Sequence, residues 1–266
     1  PRALTVMAGL APEEPTTAFG WQRVPPTYTA FLDADGLDGA RIGVLLDLFG
    51  GEAVHQEVNA VVRRATERMS AAGATMVPIR IPNFAALTED TQLTQFEFKA
   101  AFNAYLAKLG PGAPVRTLDE FIATGQFHDS IRGALIGYQG ADDGLNSMEY
   151  KERLLRRDAL RLAVMHVMAE NKLDALLYPH QKRLVVPIGE EQIERNGVVS
   201  NSTGFPAITF PAGFSPPTSD APIGFPVGLE LLGAEWSEPV LIRLAFAFEQ
   251  LAKSRRSPLS TPPIGR

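Results

Sequence analysis

The sequence predicts an α/β fold, on two observations. A short apolar run at Arg41–Leu46 is followed by a helical apolar period across 54–72 and a second strand-like run at Thr75–Ile81. Strand, helix, strand is the signature of a sheet layered with helices. Hydrophobic residues form 45% of the 266 residues and charged residues 21%. That is enough apolar material for a sizeable core and too little charge for a disordered chain. Length alone admits one domain or two small ones, and one core is the simpler reading.

Taken in order, Ala3–Gly9 reads as the last turns of a helix stopped by Gly9, and a Pro- and Thr-rich connector follows from Ala11 to Tyr28. Arg41–Leu46 is bounded by turn residues and has the buried-strand pattern. Val54, Val58, Val61, Val62, Ala65, Met69 and Ala72 then recur every three to four residues, so this helix buries one face, and Gly73 closes it. In Thr75–Ile81, Pro78 cannot donate a ladder hydrogen bond and places the strand at a sheet edge or a bulge.

Gln92–Lys108 is helix-forming and ends at Gly110-Pro111-Gly112. Thr117-Leu118-Asp119-Glu120 carries a capping box, in which Thr117 accepts from the backbone three residues on and Glu120 reaches back. Two more helices are expected, at about Asp129–Ile136 and Ser147–Asn171. The second alternates Glu149, Glu152 and Asp158 with Lys151, Arg153, Arg156, Arg157 and Arg161 at spacings suited to pairing along a solvated face.

Asp174–Pro179 is a strand ended by proline, the kind of sheet edge beside which ligands are held. From His180 to Val199 the pattern is loop-like, with a turn at Asn196-Gly197. Strands follow at Ala207–Phe210, ended by Pro211 and Gly213, and at Val227–Leu232. A final amphipathic helix runs from about Glu238 to Lys253.

Several function classes drop out. A net charge of -5 with interleaved signs gives no footprint for nucleic acid. No apolar run approaches the roughly 20 residues of a membrane span. With no cysteine there is no thiol nucleophile or thiolate metal site, so the compartment stays open, the cytoplasm slightly favoured. His55, His128, His166 and His180 are scattered rather than spaced for a metal and read as structural. Neither a Gly-x-Ser-x-Gly turn nor a Gly-rich phosphate loop is present. No cofactor is expected. The first residues carry no leader, and the chain reads as starting in the middle of something.

The segment richest in information is Asn201–Phe214, with Gly204 allowing unusual backbone angles and Pro206 starting a strand. This block resembles the Asn-x-x-Gly-x-Pro-Ala-Ile-(Thr/Ser)-x-Pro-x-Gly segment of amidase-signature enzymes. Gly224–Gly233 with Trp236-Ser237-Glu238 is similar to that family's Gly-Leu-Pro-Val-Gly-Leu-(Glu/Gln) stretch. Leu244–Gln250 through Thr261-Pro262-Pro263 is similar to its last helix and Pro-rich tail. Glu97-Phe98-Lys99 with Asn103 and Tyr105-Leu106, and Asp174–Pro179, fit in the same order.

The resemblance implies a mixed β-sheet flanked by helices, the chain being the C-terminal part of a single amidase-signature domain. It implies hydrolysis of a carboxylic or peptide amide to acid and ammonia by a serine, a second serine in a cis peptide and a lysine. Those residues belong to the family's N-terminal half, which this sequence lacks. Ser200, Ser202 and Lys182 have no accompanying Gly-Ser-rich pattern and are not assigned to the role; the serines read as turn formers. The chain alone is therefore expected to be inactive.

Substrate-binding positions implied by the resemblance are Arg132, Glu194 and Asn196. Expected partners are an amide substrate, the missing N-terminal half and a second copy in a homodimer, with neither nucleic acid nor membrane. Two alternatives stand beside this: a non-catalytic fragment or binding module, and part of one subunit of a glutamine-dependent tRNA amidotransferase.

Overall fold

The computed structural model describes residues 1–141 and 144–258; the resemblance at Thr261-Pro262-Pro263 lies outside the described residues. The chain divides into two compact units, one of Pro1–Phe84 together with the chain from Leu162 onward, the other Ala85–Arg161.

The first unit opens with α1 (Arg2–Met7), then β1 (Arg41–Leu45), α2 (Gln56–Ala71) and β2 (Thr75–Ile79). The apolar period of α2 is realised from Val58 on: Val58, Val61, Val62, Ala65 and Met69 are buried, whereas Val54, expected on the same face, lies in the turn before the helix and is exposed. Gly73 ends it with φ of +96°, a conformation that costs other residues a Cβ clash.

The second unit holds α3 (Phe84–Thr88) apart from its first residue, α4 (Thr94–Lys108), α5 (Leu118–Thr124), α6 (Arg132–Gln139) and the first part of α7 (Met148–Glu170). Aromatic rings knit it together, with Phe98 against Phe102 and Tyr138, and Phe121 against Phe102 and Phe127. The capping box at Thr117 forms by half. Thr117 Oγ1 accepts from Glu120 N at 3.2 Å, but Glu120 Oε2 accepts from Arg116 N, one residue earlier than the box requires. On α7, Glu149 and Arg153 pair at 2.7 Å, while Arg153 and Arg156 also reach Asp90, off the helix.

Returning to the first unit, the chain forms β3 (Ala175–Pro179), α8 (Val198–Thr203), β4 (Ala207–Phe214), β5 (Pro226–Leu232) and α9 (Glu238–Ala252). The five strands lie in the order β2-β1-β3-β5-β4. β1 pairs parallel with β2 and β3, and β5 pairs antiparallel with β3 and β4. The sheet is mixed, as expected, and Pro78 sits on an edge strand where its missing donor is tolerated. Asp174 locks β1 to β3: its Oδ2 accepts from Arg41 N and its N–H donates to Arg41 O, both at 2.8 Å.

One core joins α2, the sheet and α9, running through Ile42, Val62, Met69, Leu177, Leu229, Leu231 and Leu244 to Phe248. The Phe210 and Phe248 rings meet at 5.3 Å. Burial here is the dominant favourable contribution to folding, worth about 1.5–3 kcal/mol for each large side chain fully buried.

Two local readings are corrected. The stretch before β4 is helical rather than loop and turn: α8 holds Val199, Ser202 and Thr203 buried and is capped by Gly204 at φ +66°. Its Val, Ser, Asn and Thr residues have poor helix propensity, so burial decides. β4 does not stop at Pro211. It continues to Phe214 through a register shift between Pro211 and Gly213, a bulge that absorbs the proline on an edge strand.

Candidate functional site

β1 and β3 run the same way, so their carboxyl ends share one edge of the sheet, and antiparallel β5 brings its first residues there. A cleft of about 390 Å³ opens at this edge, with His180, Arg183, Leu184, Thr209, Phe210 and Val227 in its lining.

Beneath His180 lies a glutamate in the middle of an apolar strand. Glu230 is 2% exposed, and a buried carboxylate is costly unless its oxygens are satisfied. Both are: Tyr178 OH donates to Oε1 at 2.7 Å, and His180 Nδ1 donates to Oε2 at 2.8 Å. Tyr178 and Glu230 face each other because they are register partners on β3 and β5. The tyrosine hydroxyl is held well above its ordinary pKa by burial first, then by the Glu230 charge and hydrogen bond, with a hydrogen bond from Ser200 opposing. It remains a proton donor throughout the neutral range.

The Glu230 carboxylate fixes the His180 ring. With Nδ1–H donated inward, the neutral ring has a bare Nε2, an acceptor. The backbone is fixed as well, since His180 N donates to Gly228 O at 3.1 Å and His180 O accepts from Asn196 N at 2.9 Å. The side chain is 47% exposed, so this ring is anchored at one edge and open at the other.

The loop between β3 and α8 folds back on itself, closed by the Gln181–Arg195 bridge and by Lys182 N donating to Glu194 O at 3.0 Å. Asn196, 1% exposed, donates its amide hydrogens to Leu48 O at 2.7 Å and Pro179 O at 2.8 Å. It straps the exit of β1 to the end of β3. Glu194 stands nearby with φ of +61°. Its Oε1 accepts from His55 Nε2 at 3.0 Å, and Arg183 approaches Oε2 at 3.9 Å. His55 is buried and its Nδ1 accepts from Glu52 N at 3.0 Å, so the proton is on Nε2, facing the carboxylate.

The fold thus brings Glu194 and Asn196 together at the base of one loop. Arg132 lies in the second unit, at the start of α6, paired with Asp129 at 3.0 Å and with its guanidinium 4.9 Å from the Phe127 ring centre. Ser200 and Ser202 share α8; Ser200 Oγ lies 3.3 Å from Gly197 O, and Ser202 is buried. No group of three His, Asp or Glu side chains among the described residues is placed to hold a metal ion.

Sequence reasoning passed over Tyr178, His180 and Glu230 as a site. The signal was present: a charge inside Val227-Gly228-Leu229-Glu230-Leu231-Leu232 has to find a partner if the strand is buried.

Known proteins share this architecture. The family model described as Amidase matches residues 2–242. A probable amidase of Arabidopsis thaliana is 26% identical over 96% of this chain and 46% of its own length. A glutamyl-tRNA(Gln) amidotransferase subunit from a Synechococcus strain is 25% identical over 97% of this chain and 52% of its own. The crystal structure of the native peptide amidase from Stenotrophomonas maltophilia is similar with a TM-score of 0.75 and 30% identity, covering 96% of this chain and 51% of that one. The chain spans about half the length of the curated relatives it matches. With the family model covering most of its residues, the chain belongs to the amidase family.

Proposed function

We propose that this chain is part of an amidase that hydrolyses carboxylic or peptide amides to acid and ammonia. On this reading the serine, cis-serine and lysine machinery lies in an N-terminal half, the chain supplies the rest of a single domain, and it does not turn over substrate unaided. The observation that carries the proposal is the likeness to a peptide amidase, which spans nearly all of this chain and half of that one.

The chemistry sets what each half must do. The lysine, neutral, takes the nucleophile's proton through the middle serine, and backbone N–H groups stabilise the tetrahedral oxyanion. This chain's part is substrate contact. We assign Glu194, held by His55, to a polar contact with substrate, Asn196 to the same loop as its strap, and Arg132 to a contact from the helical unit.

The test is ammonia release from simple primary amides. The 266-residue chain is expected to release none, and turnover is expected to appear when the N-terminal half is joined to it or supplied in trans. Turnover by a variant of this chain lacking every serine would sink the serine mechanism. A second reading rests on the Synechococcus relative: the chain belongs to an amidotransferase that passes ammonia from glutamine to a tRNA-linked acid. Co-purification with a tRNA-binding partner protein would favour it.

A further inference from the structure

The cleft beside β3 pairs two kinds of group that are seldom left idle. His180 presents a half-exposed ring anchored at Nδ1 by Glu230. Arg183 lines the same cleft, and its closest acid, Glu194, stands at 3.9 Å, beyond hydrogen-bond reach. Its guanidinium donors therefore remain available. Around them Leu184, Phe210 and Val227 give an apolar wall. The cleft thus offers one acceptor, a cationic donor and an apolar surface within 390 Å³, the mixture typical of a small-molecule site.

A buried glutamate is an expensive way to stabilise a strand, because an apolar residue of the same size would serve the core better. Glu230 is the one Asp, Glu, Lys or Arg among the described residues that is buried. What its carboxylate does is fix which nitrogen of His180 carries the proton. A neutral His180 so held accepts from an N–H and has nothing to give to a carboxylate. Arg183 supplies the complementary donor for a carbonyl oxygen. An acceptor and a donor lining one cleft match a carboxamide, which carries both an N–H and a C=O.

We propose that this cleft is a binding subsite for the carboxamide of an amide ligand with an apolar side chain. His180 Nε2 accepts the amide N–H, Arg183 donates to the carbonyl oxygen, and Leu184, Phe210 and Val227 cover the side chain. The choice of ligand rests on the amide-hydrolase reading above.

The experiment is an NMR titration of the 266-residue chain with 4-methylpentanamide, the methyl ester of the same skeleton and the free acid. The amide is expected to bind, and the ester, which lacks the N–H, to bind about tenfold more weakly, the factor lost with one hydrogen bond. In His180→Phe the amide and the ester are expected to bind alike. Long-range 15N–1H spectra of the unliganded chain are expected to show His180 protonated at Nδ1 and bare at Nε2, with Nε2 shifting as amide is added. That spectrum reads the wild-type chain, so it stands even if the variant fails to fold.

Equal binding of amide and ester, tighter binding of the acid, no binding, or a proton on Nε2 would each overturn the proposal. Binding is measured here without turnover. An intact subsite in a protein that hydrolyses no amide would refute the proposed function alone, and a hydrolase whose chain shows no such binding would refute this inference alone.

Discussion

Replacing Tyr178 by Phe removes one oxygen from the interior and changes almost nothing else in volume. The lost bond is short, 2.7 Å, and ends on a carboxylate that is 2% exposed. Hydrogen bonds to charged groups contribute about 1.5–3 kcal/mol, and a stranded buried acceptor forfeits that in full because water cannot replace the donor. We therefore expect a loss of about 2 kcal/mol, read as a lower urea midpoint with an unchanged slope, or a fall in Tm of roughly 4–8 °C. The decisive comparison is a double-mutant cycle with Glu230→Leu. In that background the carboxylate is gone, so Tyr178→Phe is expected to cost under about 0.5 kcal/mol. An equal cost in both backgrounds would refute the pairing argument and reduce the effect to lost packing.

Two further outcomes follow from the same region. The Tyr178 hydroxyl is held well above the ordinary 10.0 by burial and by Glu230, so the folded chain keeps this proton while the unfolded chain releases it near pH 10. Stability from this group is complete below about pH 10 and falls as pH rises towards the folded-state value, by up to about 1.4 kcal/mol per pH unit. Tyr28 and Tyr150 are raised as well, so denaturant melts between pH 9 and 12 are expected to show a steeper fall in the wild type than in Tyr178→Phe. Asn196→Ala strands Leu48 O and Pro179 O, at a cost of about 2–4 kcal/mol, and Asn196→Asp, which lacks the two donors, is expected to do no better. A melt within about 0.5 kcal/mol of wild type would show that the strap is replaced by water.

What the residues disclosed ahead of the fold was mostly periodic. The buried face of α2, the edge placement of Pro78 in β2 and the span of α9 all follow from spacing and from the loss of a single donor, which act locally. α8 was invisible because its residues disfavour a helix and only tertiary burial of Val199, Ser202 and Thr203 overrides them. Pro211 was misleading for the opposite reason: a local breaker was accommodated by a bulge on an edge strand. Of the candidate site, the proposals at Glu194, Asn196 and Arg132 came from a resemblance. The Tyr178–Glu230–His180 cluster depends on the register of β3 against β5 across some fifty residues, which no local pattern encodes.

The sheet order has a bearing on how this chain is made. β1 and β2 are near neighbours in sequence, but the other neighbour of β1 is β3, and the bond between Arg41 N and Asp174 Oδ2 closes over 133 residues. The helical unit Ala85–Arg161 is synthesised in between. At ribosomal speeds of roughly 5–20 residues per second, β1 emerges with one side unpaired for on the order of ten seconds before β3 exists. The helical unit, built on contacts between nearby elements, has that interval to fold first. A nascent chain paused within the helical segment is thus expected to expose the β1 edge to chaperones, and one released beyond Phe248 to hide it.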